Sequence, residues 1–148
     1  HLGFVTAPRA FLDRMIATRV LVDRQGDLVL ERAVAELVED GELERHARRM
    51  RRIYLDRREA MVAAIEKELG DTLAFSVPAG GMALWARVRG VDVEPWAARA
   101  AERGVHVQTA KRFTFDGRPR QFVRLGFAAE TPARIAKAIG VLARERRG

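Results

Sequence analysis

Leu73-Ala74-Phe75-Ser76-Val77-Pro78-Ala79-Gly80-Gly81-Met82-Ala83-Leu84-Trp85-Ala86-Arg87-Val88 is the stretch that decides the fold. Two apolar runs flank a Pro-Ala-Gly-Gly turn, so Leu73 to Val77 and Met82 to Val88 predict the strands of a β-hairpin. Downstream, Asp92 can cap a helix running through Trp96 to Arg103, which Gly104 ends. Val105-His106-Val107 then predicts a short strand. Lys111 to Arg120, with Asp116-Gly117 and Pro119, reads as a turn-rich loop. Phe122 to Phe127 predicts a last strand, and Thr131-Pro132 opens a last helix striped by Ile135, Ile139 and Leu142.

Upstream of the hairpin the periodicity is helical. Met50, Ile53, Tyr54, Met61, Ile65 and Leu69 recur at three- and four-residue steps, predicting one long helix from Leu43 to Leu69 closed by Gly70-Asp71. A shorter helix carries Leu30, Val34, Leu37 and Val38 and stops at Asp40-Gly41. An earlier one runs from Pro8 to about Val22, with Gly26 breaking the chain between the two. Leu2 to Thr6, an apolar run ended by Ala7-Pro8, reads as a buried strand feeding a turn. The expected fold class is α+β, a small antiparallel or mixed sheet packed with helices and preceded by further helices.

Composition narrows the function. With 148 residues and 48% hydrophobic content the chain can bury one core. No window approaches a membrane span and no secretory signal opens the chain, so a soluble, cytoplasmic protein without membrane contact is expected. There is no cysteine, and His1, His46 and His106 lack ligand spacing, which argues against a metal site. The formal charge of +7 is carried almost wholly by arginine, since Lys67, Lys111 and Lys137 are the lysines. The arginine-rich run from Glu44 to Arg52 raises the alternative of a basic nucleic-acid-binding module. Glu42, Glu44, Asp56 and Glu59 close by fit exposed ion pairs better.

Ser76 is the only serine, expected within a strand and without a nucleophile elbow, so a serine hydrolase is rejected. The glycines form no phosphate loop or dinucleotide fingerprint. Carboxylate groups such as Glu66 with Glu68, or Glu36 with Glu39 and Asp40, lie on solvent-type helix faces. Arg124 stands out. Alternation puts it on the sheet face opposite Val123, Leu125 and Phe127. A guanidinium in an apolar strand wants an anion, because its fork suits a carboxylate or phosphate and leaving it unpaired is costly. An anion-gripping residue and an edge-strand arginine reaching water or a structural ion pair both remain open at this point.

Three motifs in order resemble the fold-type I pyridoxal-phosphate aminotransferases. Leu2-Gly3-Phe4-Val5-Thr6-Ala7-Pro8 is similar to the segment that follows the cofactor lysine in that family. Pro78-Ala79-Gly80-Gly81-Met82-Ala83-Leu84-Trp85 is similar to the small-domain hairpin motif, with Ala83 or Leu84 where the family has Phe. Val123-Arg124-Leu125-Gly126-Phe127 resembles the late strand whose arginine grips the substrate α-carboxylate. The stretch from Asp23 through Tyr54 further resembles the MocR-type branch of the GntR regulators, which join a DNA-binding domain to an aminotransferase-like domain.

The resemblance implies that residues 1–41 are the tail of a cofactor-binding large domain with linker helices and that 42–148 are the small domain. It implies pyridoxal 5′-phosphate as cofactor in the intact protein, Arg124 as substrate-binding residue, an amino-acid ligand, a homodimer, and DNA binding through a domain outside this chain. The Schiff-base lysine is expected upstream of residue 1, so no catalytic residue is assigned and the chain alone is expected to be inactive. His1 occupies the position of the family's phosphate-contacting arginine and departs from it. The implied function is a PLP-binding regulator that senses an amino acid or the cofactor; a working aminotransferase is the alternative.

Overall fold

The structure, a computed structural model, describes residues 3–22 and 26–146. Backbone contacts divide the chain into two compact units, residues 1–49 and 50–148. In the first, α1 spans Arg9–Val22 and α2 spans Leu28–Glu39. Pro8 sits just ahead of α1 and its carbonyl accepts from the amides of Phe11 and Leu12. The Asp27 carboxylate caps α2 by accepting from the Leu30 amide at 3.0 Å. Gly41, with φ of 70°, ends the α2 segment in the left-handed conformation that glycine adopts without penalty. Arg19 and Glu31 bridge α1 and α2 at 3.3 Å.

The strand expected at the start of the chain is absent from its described part. Residues 3–7 have no regular structure, and Phe4 and Val5 are exposed. An extended apolar run becomes a strand only where a neighbour takes its backbone donors and acceptors, and no described segment does so here.

The long helix α3 spans Glu42–Leu69, its first turns in the first unit and the rest in the second. Arg45 pairs with Glu42, and Arg48 with Glu44, as the three- and four-step spacing requires. Further on, Met61, Ala64, Ile65 and Leu69 form the buried stripe. Arg57 and Arg58 are not solvent charges. Arg57 donates to the Ala128 carbonyl and Arg58 to that of Pro78 at 2.8 Å, tying two loops to the helix.

A four-stranded sheet follows, with β1 Leu73–Ala74, β2 Ala83–Val88, β3 Gln108–Thr109 and β4 Phe122–Gly126 in spatial order β1-β2-β4-β3. Every pairing is antiparallel. The hairpin exists, but β1 is cut to two residues opposite Val88 and Arg87. Phe75 to Met82 becomes a long connection instead of a second half-strand, and it takes Ser76 with it. Pro78 cannot donate to a ladder, and its carbonyl is already claimed by Arg58.

The third strand also lies later than Val105–Val107. The Val105 amide is used to close the end of helix α4 (Val93–Glu102) on the Ala100 carbonyl, with Gly104 at φ of 79° making the turn. Pairing with β4 therefore starts at Gln108. The loop expected from Lys111 opens with a single 3-10 turn, Ala110–Phe113.

One face of the sheet carries Leu84, Ala86, Val88, Val123 and Leu125, all buried against α3, α4 and the last helix, α5 (Pro132–Glu145). The α+β class is thus observed. Trp96 and Phe127 are the largest side chains in this core. Helix α4 also completes the end of α5. The last carbonyls of a helix lack partners within it; here Trp96 Nε1 donates to the Leu142 carbonyl at 2.9 Å, and Arg99 donates twice to that of Glu145, at 3.0 and 2.8 Å.

Candidate functional site

Strand alternation sends Ala83, Trp85 and Arg87 of β2, and Phe122, Arg124 and Gly126 of β4, to the face away from the helical core. The register sets Trp85 and Gln108 directly opposite Arg124 on its two sides. Arg124 is half-buried, and its Nη1 donates to the Gln108 carboxamide oxygen at 3.0 Å. No described carboxylate forms an ion pair with it. Among the described residues, the Arg124 side chain therefore meets a neutral carboxamide and no carboxylate.

Space beside it is kept open by Gly126. A Cβ built there would come within 3.9 Å of Arg124 Nη1, so a long side chain would fill the approach to the guanidinium. On the other side stands an aromatic group. Trp85 stacks on Phe122 with ring centroids 5.8 Å apart, and meets Phe113 edge-on at 5.5 Å. The 3-10 turn after β3 is what brings Phe113 to this face. Trp85 and Phe113 remain nearly half exposed, giving an apolar wall beside a cation.

Arg124, Leu125 and Gly126 also line an open cleft of about 510 Å³ between the Arg103–Val107 segment and α5. His106, Glu130, Arg134 and Lys137 are at the same cleft. Arg134 pairs with Glu130 at 2.9 Å and Arg103 with Glu145 at 3.3 Å, which leaves its charge mixed. The carboxylates with lowered pKa lie elsewhere. Asp71 is held down first by the Thr72 hydroxyl and then by Arg146, and Asp116 first by the Arg118 backbone amide and then by Arg120.

Of the other residues singled out in the sequence, His106 and Lys137 share the Arg124 cleft and the rest of the described ones do not line it. His1 lies outside the described residues. His46 is exposed on α3 beside Arg49. Lys67 is exposed next to Glu68, Lys111 is exposed in the 3-10 turn, and Lys137 is on the exposed side of α5. None of the four strands carries a lysine. Gln108, Gly126 and the aromatic group drew no attention as site residues, because their roles come from cross-strand register, which single-sequence periodicity does not fix.

Known proteins resemble the chain along nearly all of its length. It is 30% identical to the probable rhizopine catabolism regulatory protein MocR of Rhizobium meliloti over 96% of this chain and 29% of that protein. Against the HTH-type transcriptional regulator TauR of Rhodobacter capsulatus it is 33% identical, covering 97% of this chain and 30% of that one. Among solved structures, the α-aminoadipate aminotransferase LysN from Thermus thermophilus, complexed with N-(5′-phosphopyridoxyl)-L-leucine, superposes with a TM-score of 0.82 at 28% identity, over 97% of this chain and 37% of that one.

Its relatives thus include both MocR-type regulators and aminotransferases, and its fold is that of an aminotransferase small domain.

No protein-family profile matches it. The chain spans about a third of the length of the relatives it matches. Among the described residues no helix is long and apolar enough to cross a membrane.

Proposed function

We propose that this chain contributes the ligand-carboxylate grip of a pyridoxal-phosphate-binding, aminotransferase-like transcription regulator of the MocR type. The observation that carries the reading is Arg124, a half-buried guanidinium without an ionic partner among the described residues, set on an open sheet face beside a glycine. Such a group selects a carboxylate, because its planar fork matches two oxygens and its charge is not spent elsewhere. The Trp85 wall suits the apolar part of an amino acid. Residues 42–148 serve as the small domain in this reading. Residues 1–41 are the tail of a larger one, which accords with the exposure of Phe4, Phe11, Ile16, Val20 and Leu21.

The described residues suit the amino-acid end of the ligand, and Lys67, Lys111 and Lys137 lie off the strands that carry Arg124. When bound, pyridoxal phosphate supplies an electron sink for the carbon bearing the amino group. This chain's part is to hold the carboxylate, orient the amino acid through that contact, and cover it with the Trp85 side of the sheet. The regulator is favoured over a working aminotransferase because its two relatives, at 30% and 33%, stand above the 26% identity to the 2-aminoadipate transaminase of Thermus thermophilus. The aminotransferase remains the second reading on the strength of the LysN superposition. A homodimer, and DNA binding through a further domain, belong to the same proposal.

Borohydride reduction of the full gene product loaded with pyridoxal phosphate, followed by peptide mapping, tests the cofactor reading. One stoichiometric adduct is expected, on a lysine other than Lys67, Lys111 and Lys137, and this chain by itself should give none. An adduct on any of those three contradicts the reading. A gel shift with the gene's upstream DNA, which an amino acid strengthens or weakens, separates the regulator from the enzyme, which would instead consume that amino acid with a 2-oxo acid.

A further inference from the structure

Among the described residues, one side chain, that of Gln108, holds the Arg124 guanidinium. The β3–β4 register places Gln108 opposite it, and the carboxamide oxygen lies 3.0 Å from Nη1. Gln108 is half-buried on a strand of two residues, and the 3-10 turn follows it directly. Its backbone is therefore fixed at the point where its side chain must reach. We propose that Gln108 is the positioning residue of the carboxylate grip, a neutral acceptor that aims the Arg124 guanidinium while leaving its charge for the ligand. The proposal rests on the reading of Arg124 as the ligand-binding residue.

The chemistry turns on neutrality. A guanidinium has five N–H donors, and Gln108 takes one of them. An arginine on a partly exposed strand has many rotamers, so a fixed acceptor removes part of the entropy that the ligand would otherwise have to freeze. A carboxylate at the same reach would aim the group equally well. It would also form an ion pair with it and compete with the incoming carboxylate. An apolar side chain of the same length would do neither. Glutamine at position 108 combines aim with an unspent charge.

The test uses the full gene product and two probes, N-(5′-phosphopyridoxyl)-L-leucine, which bears a carboxylate, and pyridoxamine 5′-phosphate, which does not. The ratio of their dissociation constants isolates the carboxylate contact from the rest of the site. Gln108→Glu is expected to weaken the carboxylate-bearing probe by roughly thirtyfold, the scale of a screened neighbouring charge, with pyridoxamine 5′-phosphate unchanged. Gln108→Met, which removes the acceptor without adding charge, should cost that probe only about threefold, the share of one net hydrogen bond.

If both Gln108 variants keep the wild-type ratio while Arg124→Ala collapses it, the positioning role is overturned and the reading of Arg124 stands. Equal weakening of both probes by both variants assigns Gln108 a structural role and overturns the proposal as well. A ratio that survives Arg124→Ala removes the reading beneath it, and the proposal with it.

Discussion

Arg124→Ala in the full gene product is expected to weaken N-(5′-phosphopyridoxyl)-L-leucine by roughly a hundredfold, about 3 kcal/mol, the scale of two charge-assisted hydrogen bonds lost from one carboxylate. Isothermal titration reads this directly. Arg124→Lys should recover part of the loss, because it restores the charge but not the two-pronged geometry. The same substitution should scarcely move the midpoint of unfolding. Among the described residues the Arg124 side chain has one hydrogen bond, to a neutral carboxamide, and no ion pair, so little of the fold depends on that side chain. A large loss of stability with little loss of binding would mark Arg124 as a structural residue.

The second large effect is on the fold itself. Trp96 is fully buried and joins α4 to the end of α5 through the Leu142 carbonyl. Trp96→Ala should cost about 4 kcal/mol, since truncating a buried tryptophan forfeits both transfer free energy and packing. That is a large part of the ~5–15 kcal/mol that holds a typical domain folded. Trp96→Phe keeps most of the apolar volume but leaves the Leu142 carbonyl without its donor, at a cost of about 1–2 kcal/mol. Urea unfolding followed by circular dichroism should rank wild type above Trp96→Phe and Trp96→Phe above Trp96→Ala. Equal midpoints for wild type and Trp96→Phe would show that the indole hydrogen bond contributes nothing beyond packing.

The sequence carried most of the second unit because each element repeats a simple period. The stripe ending at Met61, Ile65 and Leu69, the start of the last helix at Thr131-Pro132, and the alternation that sets Arg124 against Val123 and Leu125 all appear as expected. It failed where a strand depends on what lies beside it. Phe75 to Val77 has strand-like composition but no ladder, while Gln108 and Thr109 are polar and yet pair with β4. The helix α1 follows its expected bounds closely and buries none of its residues. Periodicity predicts a helix, not its burial.

The site was half legible for the same reason. Arg124 could be picked out by its apolar neighbours in sequence, and its motif by resemblance. The carboxamide that aims it comes from a residue sixteen positions earlier, across a strand pair whose register no local signal gives. The openness beside it depends on Gly126, whose missing side chain matters only once the guanidinium is seen to lean over it.

The most direct measurement is a crystal structure of the full gene product with N-(5′-phosphopyridoxyl)-L-leucine bound. The leucine carboxylate is expected on the two terminal nitrogens of Arg124 at about 2.8 Å, with Gln108 still holding Nη1. A carboxylate seated on another residue, with Arg124 paired to an acidic side chain from elsewhere in the protein, would contradict this reading.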